Sequence, residues 1–295
     1  MPSLRARMLP PLLRRLLKRR LRPRVPLWQQ RSAMRTWAAF GHLPRRTIVQ
    51  TGTLAGRPVE QICPRGLPVD RDDVLLLHGG GYCWGGLATH REFAARLAHA
   101  AQRPITVLDY RLAPEHPYPA AIDDAVATVR ELRQAKPGQP LAIVGDSAGG
   151  GLALAVCRRL RRAGESLPDR LALISPWVDL TQSGASIADL SEVDPVISLP
   201  SLQQCAERYA AGHALHDPEL SPLFGDFEEF PQTLIQVGQH EILLDDSRRL
   251  AERIGAAARL EVTCDMWHVW HLFASVLPEA RTAIARAGEF LSDHP

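Results

Sequence analysis

The sequence predicts an α/β protein in which a mostly parallel sheet of about eight strands is flanked by helices. Most of the short apolar runs from Val74 onward lack polar alternation, which is typical of parallel strands buried on both faces. Helical patterns, with apolar residues three or four positions apart, separate most of these runs. This alternation of strand and helix indicates a doubly wound sheet.

The predicted elements follow one another in chain order. We predict strands at 47–53, 59–63, 74–77, 105–109, 141–144, 171–175, 234–237 and 260–264. The first two are joined by Ala55-Gly56-Arg57-Pro58, a turn sequence that permits an antiparallel hairpin at one edge of the sheet. We predict helices at 89–101, 120–134, 148–163, 245–258 and 278–291.

Two segments fall outside this alternation and are candidates for a helical cap. Residues 1–44 form a basic N-terminal arm, and residues 180–221 contain a helical pattern at 202–211 but no strand. We therefore expect an arm at 1–44 that contributes to the cap. A main domain at 45–295 would carry a cap insertion at about 180–221.

Composition bounds the class of protein. At 295 residues the chain is long enough for one large α/β unit. Its five cysteines, an odd number without C-x-x-C spacing, indicate free thiols in a reducing cytosol rather than a disulfide framework or a metal site. Pro10, Pro11 and basic residues interrupt the N-terminal leucines, so no signal peptide is predicted, and no window resembles a membrane span. We expect a cytoplasmic protein without a cofactor or metal.

A serine between a predicted strand and a predicted helix is the most informative feature. Gly145-Asp146-Ser147-Ala148-Gly149-Gly150 places glycines two residues before and two after Ser147, which permits a tight turn with φ angles that a side chain would resist. A G-x-S-x-G pentapeptide also occurs in ordinary loops. Here it is joined by His78-Gly79-Gly80-Gly81, which follows another strand run at the distance expected for an oxyanion loop. The two motifs together predict that Ser147 is a nucleophile.

An oxyanion hole needs backbone N–H groups aimed at the oxygen that gains charge. The glycines at 79–81 allow close approach of the backbone, and Ala148 adds an N–H group at a helix N-terminus. The same glycines could instead cradle a phosphate. Neither G-K-[ST] nor G-x-G-x-x-G is present, so an oxyanion loop is favoured over a nucleotide site.

A serine nucleophile also needs a base and an acid that orients the base. Where a serine lies on such a turn, the acid and then the histidine follow it in the chain. Glu241, Asp245 and Asp246 follow one late strand, and the two aspartates sit where a helix would begin, which favours a capping role for them. His268 and His271 follow the last strand. His268 comes sooner, whereas His271 falls in the next helical turn, so His268 is favoured as the base.

Several stretches together resemble the hormone-sensitive lipase family of carboxylesterases, which have the α/β-hydrolase fold. The resemblance covers roughly residues 47–292 and rests on His78 to Gly81, Tyr110 to Asp124, Gly145 to Gly150, Ser175 to Leu180, Ser221 to Leu223 and Met266 to His271. It implies Ser147 as nucleophile, His268 as base and an oxyanion hole of Gly80, Gly81 and Ala148.

The acid is the one departure from the family pattern. The family usually carries aspartate where Glu241 stands, in a D-x-L-x-D pattern matched here by Glu241, Leu243 and Asp245. Either acid can serve in a triad of this fold, so Glu241 is the predicted third member. We further expect Arg111 to pair with Asp146 and brace the turn, and Asp123 and Asp124 to act as helix-capping acids.

The resemblance implies a carboxylic ester hydrolase that works through an acyl-enzyme intermediate on short- to medium-chain acyl esters. A ligand-binding protein and an acyltransferase on the same fold are the alternatives. Family members without the histidine are small-ligand receptors, so the presence of His268 argues against the first of these. The partner expected is a small-molecule ester, without nucleic acid, and a homodimer stays open.

The basic arm allows two interpretations. Residues 1–59 hold fourteen Arg or Lys and no acid, whereas the rest of the chain holds 21 basic and 32 acidic residues. Leucines set among these basic residues, followed by Trp28, Trp37 and Phe40, could form an amphipathic helix on an anionic membrane. The arm could instead cover the active site as part of the lid, as the family's N-terminal segment does. We favour the lid, and membrane association stays open.

Overall fold

One sheet of eight strands runs through the molecule in the order β1-β2-β4-β3-β5-β6-β7-β8. The structure, a computed structural model, describes residues 2–39, 41–67 and 73–292, so Phe40 lies outside the described residues. The strands are β1 (Thr47–Leu54), β2 (Arg57–Pro64), β3 (Asp73–Leu77), β4 (Ile105–Leu108), β5 (Leu141–Asp146), β6 (Arg170–Ile174), β7 (Gln232–Gly238) and β8 (Ala258–Thr263). All eight predicted strands are confirmed, with ends within two residues of the prediction.

The first two strands form the antiparallel hairpin that the turn sequence predicts. Ala55 and Gly56 both have positive φ angles, which matches the twist of a two-residue hairpin. β2 also pairs antiparallel with β4, and the other pairs, from β4 to β8, are parallel. The apolar runs of the parallel strands β4, β5 and β6 are buried on both faces, as the absence of polar alternation predicts, whereas the edge strand β8 is only half-buried.

Helices cover both faces of the sheet. α3 and α9 pack against each other, α4 packs against α5, and α8 lies against β7 and β8. The helices are α1 (Leu4–Leu16), α2 (Leu27–Ala38), α3 (Leu87–Ala101), α4 (Ala120–Ala135), α5 (Ala148–Arg162), α6 (Ala185–Asp189), α7 (Leu199–Ala210), α8 (Leu244–Ile254) and α9 (Pro278–Ser292).

The strand order creates a crevice at the carboxyl ends of the central strands. The chain passes from β3 to β4 on one side, and then returns to place β5 on the other side of β3. The loops that follow β3 and β5 therefore diverge at this point, which is where ligands bind in open α/β sheets. Both glycine-rich motifs lie in these two loops.

The arm and the segment at 180–221 contact each other above this crevice. The arm consists of α1, a 3₁₀ turn at Lys18–Leu21 and α2, and its leucines at 13, 17 and 21 are buried in the core. Ser201, in α7, donates a hydrogen bond of 2.8 Å to the Leu21 carbonyl. The Lys18 ammonium donates to the carbonyls of Ser191 and Asp194, at 2.7 Å each. Polar contacts as well as apolar packing thus join the two segments.

Candidate active site

Ser147 lies on a strained turn between β5 and α5. Its φ is 51° and its ψ is −120°, a combination that a side chain rarely adopts, and only 6 % of the residue is exposed. Gly149 approaches β3 so closely that a Cβ atom would lie 2.7 Å from the Leu77 carbonyl carbon. The positive φ belongs to Ser147 itself and not to Gly145 or Gly149, so the glycines are needed for space rather than for φ.

His268 meets this serine from the loop after β8. Its Nε2 lies 3.0 Å from Ser147 Oγ, within hydrogen-bond distance. Burial lowers the pKa of His268 to about 4, although the nearby Asp146 opposes that shift. The imidazole is therefore neutral at pH 7, which is the form that can accept a proton from the serine.

His271, the rival histidine, is placed away from the serine. Its Nε2 lies 2.9 Å from Gln236 Oε1, in a 3₁₀ turn at Trp270–Phe273, and burial lowers its pKa to about 3. Gln236 in turn donates to Glu261 and to the Ala283 carbonyl. His271 thus connects the sheet with α9 through Gln236, and His268, not His271, lies beside Ser147.

Glu241 reaches His268 from the loop after β7, but not within hydrogen-bond distance. Its Oε1 lies 4.0 Å from His268 Nδ1, and both atoms are buried without a hydrogen-bond partner among the described residues. Burial, together with the nearby Asp194 carboxylate, raises the pKa of Glu241 above its usual range. The carboxyl group and the imidazole face each other, and a movement of about 1 Å by either side chain would bring the two atoms within hydrogen-bond distance.

Ser175 is a member of the site that sequence reasoning missed. It stands directly after β6. Its hydroxyl donates a hydrogen bond of 2.8 Å to Glu241 Oε2 and accepts one of 3.1 Å from the Val269 N–H group. The same hydroxyl therefore connects the acid to the residue that follows the histidine. Its position at the carboxyl end of a central strand, between two strands that carry site residues, was the signal available in the sequence.

Asp245 and Asp246 lie in the first turn of α8, as predicted. Their carboxylates do not cap this helix, however, but accept hydrogen bonds from N–H groups of the segment after β6. Asp246 Oδ2 accepts 3.0 Å bonds from the N–H groups of Val178 and Asp179, and Asp245 accepts 2.9 Å from that of Ser186. Burial raises the pKa of Asp246 to about 7. Neither carboxylate forms a hydrogen bond or ion pair with His268 in the described part of the chain; the two aspartates instead tie α8 to the segment after β6.

The glycine loop after β3 lies at the cleft that contains Ser147. The Gly79 N–H group donates 2.8 Å to Asp146 Oδ1, and no acceptor among the described residues is recorded for those of Gly80, Gly81 and Ala148. Gly80 has a φ of 125°, and a Cβ atom there would overlap the Trp84 carbonyl. Only glycine fits this conformation, in which Gly80 and Gly81 line the same cleft as Ser147.

The expected ion pair between Arg111 and Asp146 is wrong. The Arg111 guanidinium instead lies 2.7 Å from Asp124, which also accepts the Arg111 N–H bond, so the predicted capping role of Asp124 is wrong too. Asp123 lies in the first turn of α4 and pairs with Arg159. Asp146 lies 3.1 Å from His90 Nε2 and accepts from Gly79. The turn is thus braced by a histidine of α3, which no local motif indicated.

An apolar cleft leads to Ser147 and His268, and three further parts of the chain line it besides the glycine loop and the serine turn. The arm contributes Leu17, Leu21, Met34 and Trp37; the segment at 180–221 contributes Val196, Ile197, Ser201, Leu202 and Cys205; and the residues after His268 contribute Val269, Leu272 and Phe273. Within the described ranges, no group of three or more His, Cys, Asp or Glu side chains could hold a metal ion.

Comparisons with known proteins agree with this geometry. Residues 74–274 match a family with the α/β-hydrolase fold. The chain is 40 % identical to an acetyl-hydrolase of Streptomyces hygroscopicus, over 87 % of this chain and 86 % of that protein. It is 37 % identical to an esterase of Acinetobacter venetianus, over 83 % of this chain and 84 % of that protein. A crystal structure of an esterase from the bacterial hormone-sensitive lipase family has a TM-score of 0.92 at 38 % identity, and 99 % of this chain and 98 % of that one are covered.

These similarities extend along almost the whole chain, and the strand order and the serine turn described above agree with them. The chain therefore belongs to the hormone-sensitive lipase family of α/β-hydrolases and is a carboxylic ester hydrolase.

Proposed function

We propose that Ser147, His268 and Glu241 form the catalytic triad of this hydrolase. The observation that carries the proposal is the 3.0 Å contact between His268 Nε2 and Ser147 Oγ, at a serine with a φ of 51°. A neutral buried imidazole beside a hydroxyl on a strained turn is the arrangement that activates a serine. Glu241 lies behind the other ring nitrogen and stabilises the imidazolium that forms during the reaction.

Acylation follows from this geometry. Ser147 Oγ attacks the ester carbonyl carbon while its proton passes to His268 Nε2, and the carbonyl oxygen gains a negative charge. The N–H groups of Gly80, Gly81 and Ala148 donate to that oxygen, at about 3–4 kcal/mol of barrier for each donor. The carbon–oxygen bond to the alcohol then breaks, and the alcohol leaves with the proton from His268. The products are a free alcohol and an acyl group on Ser147.

Deacylation repeats these steps with water. His268 takes a proton from water, the hydroxide adds to the acyl carbon, and the same N–H groups stabilise the second oxyanion. The acid leaves, and Ser147 recovers its proton from His268. No net change occurs in the residues of the site.

The cleft supports esters with short- to medium-chain acyl groups. Its lining is almost entirely apolar, and three separate parts of the chain close around it, so room for the acyl chain is limited. One relative is named acetyl-hydrolase, and a structure with a TM-score of 0.90 was determined after soaking EstE5 in p-nitrophenyl butyrate. We infer a preference for acyl groups in this range.

A series of p-nitrophenyl esters with increasing acyl length, tested on the wild type and on Ser147→Ala, examines both proposals. We expect the alanine variant to lose about 10³- to 10⁶-fold in kcat, since the nucleophile is gone. We expect kcat/KM to pass through a maximum at short or medium chains and to fall for long ones. Undiminished activity of Ser147→Ala would exclude the mechanism, and a rise that continues to the longest chains would exclude the preference.

Acyl transfer to an alcohol other than water is the second candidate reaction. The deacylating nucleophile is chosen by what the cleft admits, and an apolar lining admits apolar alcohols as well as water. Product analysis in the presence of competing alcohols distinguishes the two, because transfer yields a new ester whereas hydrolysis yields the free acid.

A further inference from the structure

The outer face of the N-terminal arm carries a row of exposed apolar side chains. They are spaced by four residues along α1, so they lie on one side of the helix. The opposite side is buried at Ala6 and Leu13. The exposed fractions are 71 % for Leu4, 66 % for Met8, 45 % for Leu12 and 43 % for Leu16.

This row is concentrated on one part of the surface. Arg5 donates 3.0 Å to the carbonyl of Val276, which is itself 44 % exposed and therefore extends the apolar row past the start of α1. Trp28, at the start of α2, is 68 % exposed. Among the described residues only three further large apolar side chains are exposed, namely Leu43, Phe224 and Val262, and the last two are less exposed than any member of the row. Such a concentration marks an interaction surface rather than ordinary scatter.

Cationic side chains lie between and beside these residues. Residues 2–39 hold Arg or Lys at eleven positions and no acid. No hydrogen bond or ion pair with another described residue is recorded for the exposed side chains of Arg7, Arg15, Arg19, Arg20, Arg22 and Arg24. Within the described part of the chain, the side chains of Arg5 and Arg14 bind backbone carbonyl groups and no acid. The surface therefore combines an apolar row with uncompensated positive charge.

We propose that this face of the arm docks on an anionic lipid surface. An apolar row that enters the headgroup region, flanked by arginines that bind lipid phosphates, is the pattern of a helix that lies in the membrane interface. The rest of the chain has an excess of acidic residues, which an anionic surface repels, so charge alone turns the arm toward the membrane. Within the described part of the chain, no helix is both long and apolar enough to cross a bilayer.

A second copy of the chain is a poorer occupant of this surface. In a two-fold dimer the same patch would face itself, which would bring the arginines of one copy against those of the other without an acid between them. An anionic bilayer supplies both the apolar layer and the opposite charge.

Docking would place the active-site cleft close to the lipid. The inner side of the same arm supplies Leu17, Leu21, Met34 and Trp37 to the cleft that contains Ser147. One thin segment therefore separates the bilayer from the site. Apolar esters dissolved in a membrane could enter from that side.

Vesicle co-sedimentation of the full-length protein tests the proposal. We expect binding to vesicles of phosphatidylcholine mixed with phosphatidylglycerol, at least about tenfold weaker binding to phosphatidylcholine alone, and release at high salt. A variant with Leu4→Ser, Met8→Ser, Leu12→Ser and Leu16→Ser should lose about tenfold or more in partitioning. The matched control, Phe224→Ser with Val262→Ser, should bind as the wild type does.

The same vesicle assay tests the contribution of the arm's positive charge. Arg15→Gln with Arg19→Gln should weaken binding to the anionic vesicles by about tenfold or more, whereas Arg65→Gln with Arg286→Gln should not. Turnover of a water-soluble p-nitrophenyl ester should be unchanged in every one of these variants, since none of the substituted residues lines the cleft. Ser147→Ala should bind vesicles as the wild type does, so failure of docking and failure of the proposed mechanism can be distinguished.

Equal sedimentation of the wild type and the four-serine variant would overturn the proposal. Binding that is independent of phosphatidylglycerol would overturn it as well. So would a dimer, detected by light scattering, that the four serines dissociate, because the apolar row would then be an interface between two copies.

Discussion

At the scale of single residues, the acid side of the proposed triad is held open. Glu241 Oε1 and His268 Nδ1 are 4.0 Å apart, while Ser175 holds the other carboxylate oxygen at 2.8 Å. Burial disfavours the charged form of each group taken alone, since it raises the pKa of Glu241 and lowers that of His268. When the serine proton moves to His268, the imidazolium and the Glu241 carboxylate stabilise each other across this short gap, so their electrostatic interaction is strongest in the transition state.

Glu241→Gln should therefore lower kcat by about 10³- to 10⁴-fold with little change in KM, because the amide cannot carry the charge that stabilises the imidazolium. Glu241→Asp keeps the charge and should retain at least about tenfold more activity than the glutamine variant. The measurement is steady-state kinetics on p-nitrophenyl butyrate, with folding checked by circular dichroism. Equal kcat values for Glu241→Gln and the wild type would remove Glu241 from the triad.

The pH profile reports the state of His268. Burial places its pKa at about 4, well below the usual 6.5, and the base must be neutral to accept the serine proton. As the pH falls, kcat/KM should thus stay level through pH 6.5 and decline only as the pH approaches 4. We would measure hydrolysis at the isosbestic wavelength of nitrophenol, with tryptophan fluorescence as the control for folding. A decline centred near 6.5 would show that burial does not govern this histidine.

At the scale of elements, Lys18 and Asp194 connect the arm to the loop that carries the acid. Lys18 donates to two carbonyls of the segment at 191–194, and the Asp194 carboxylate accepts from the N–H groups of Val196, Ile197 and Ile242. Ile242 directly follows Glu241. Burial raises the pKa of Asp194 to about 6 and lowers that of Lys18. The position of the arm is thereby linked to the position of Glu241.

Lys18→Met keeps the bulk of the side chain and removes its hydrogen bonds. The buried carbonyl of Asp194 and the part-buried carbonyl of Ser191 lose their donor, which should cost about 1–3 kcal/mol in the free energy of local opening. Hydrogen exchange should show faster amide exchange in the arm and around 191–197. Arg19→Met, at the exposed neighbouring position, is the control and should leave exchange unchanged. Equal exchange in both variants would show that the Lys18 contacts do not hold the arm.

At the scale of the whole molecule, the cleft exists only because distant segments meet over the sheet. Trp37 of α2 packs edge to face on Phe273, with ring centroids 5.8 Å apart, and both rings line the cleft. The shape of the acyl site therefore depends on the arm as much as on the loop that carries His268.

Trp37→Ala should consequently change substrate preference more than turnover. Removal of the indole ring opens one wall of the cleft. We therefore expect KM for the butyryl ester to rise by about three- to tenfold, while kcat for the acetyl ester changes little. Trp28→Ala removes an exposed ring of the same helix and is the matched control. If the two variants gave the same KM ratio for the two esters, the arm would not be a wall of the acyl site.

The sequence by itself determined the eight strands and the position of the serine turn between β5 and α5, because strand periodicity and turn chemistry are local properties. Only the tertiary structure decided which partners meet across long sequence distances. It paired Asp146 with His90 instead of Arg111, brought Ser175 to Glu241, and left a 4.0 Å gap between the acid and the base. It also divided the arm into a buried inner side and an exposed outer side. These outcomes depend on how layers pack together, and no window of sequence contains that information.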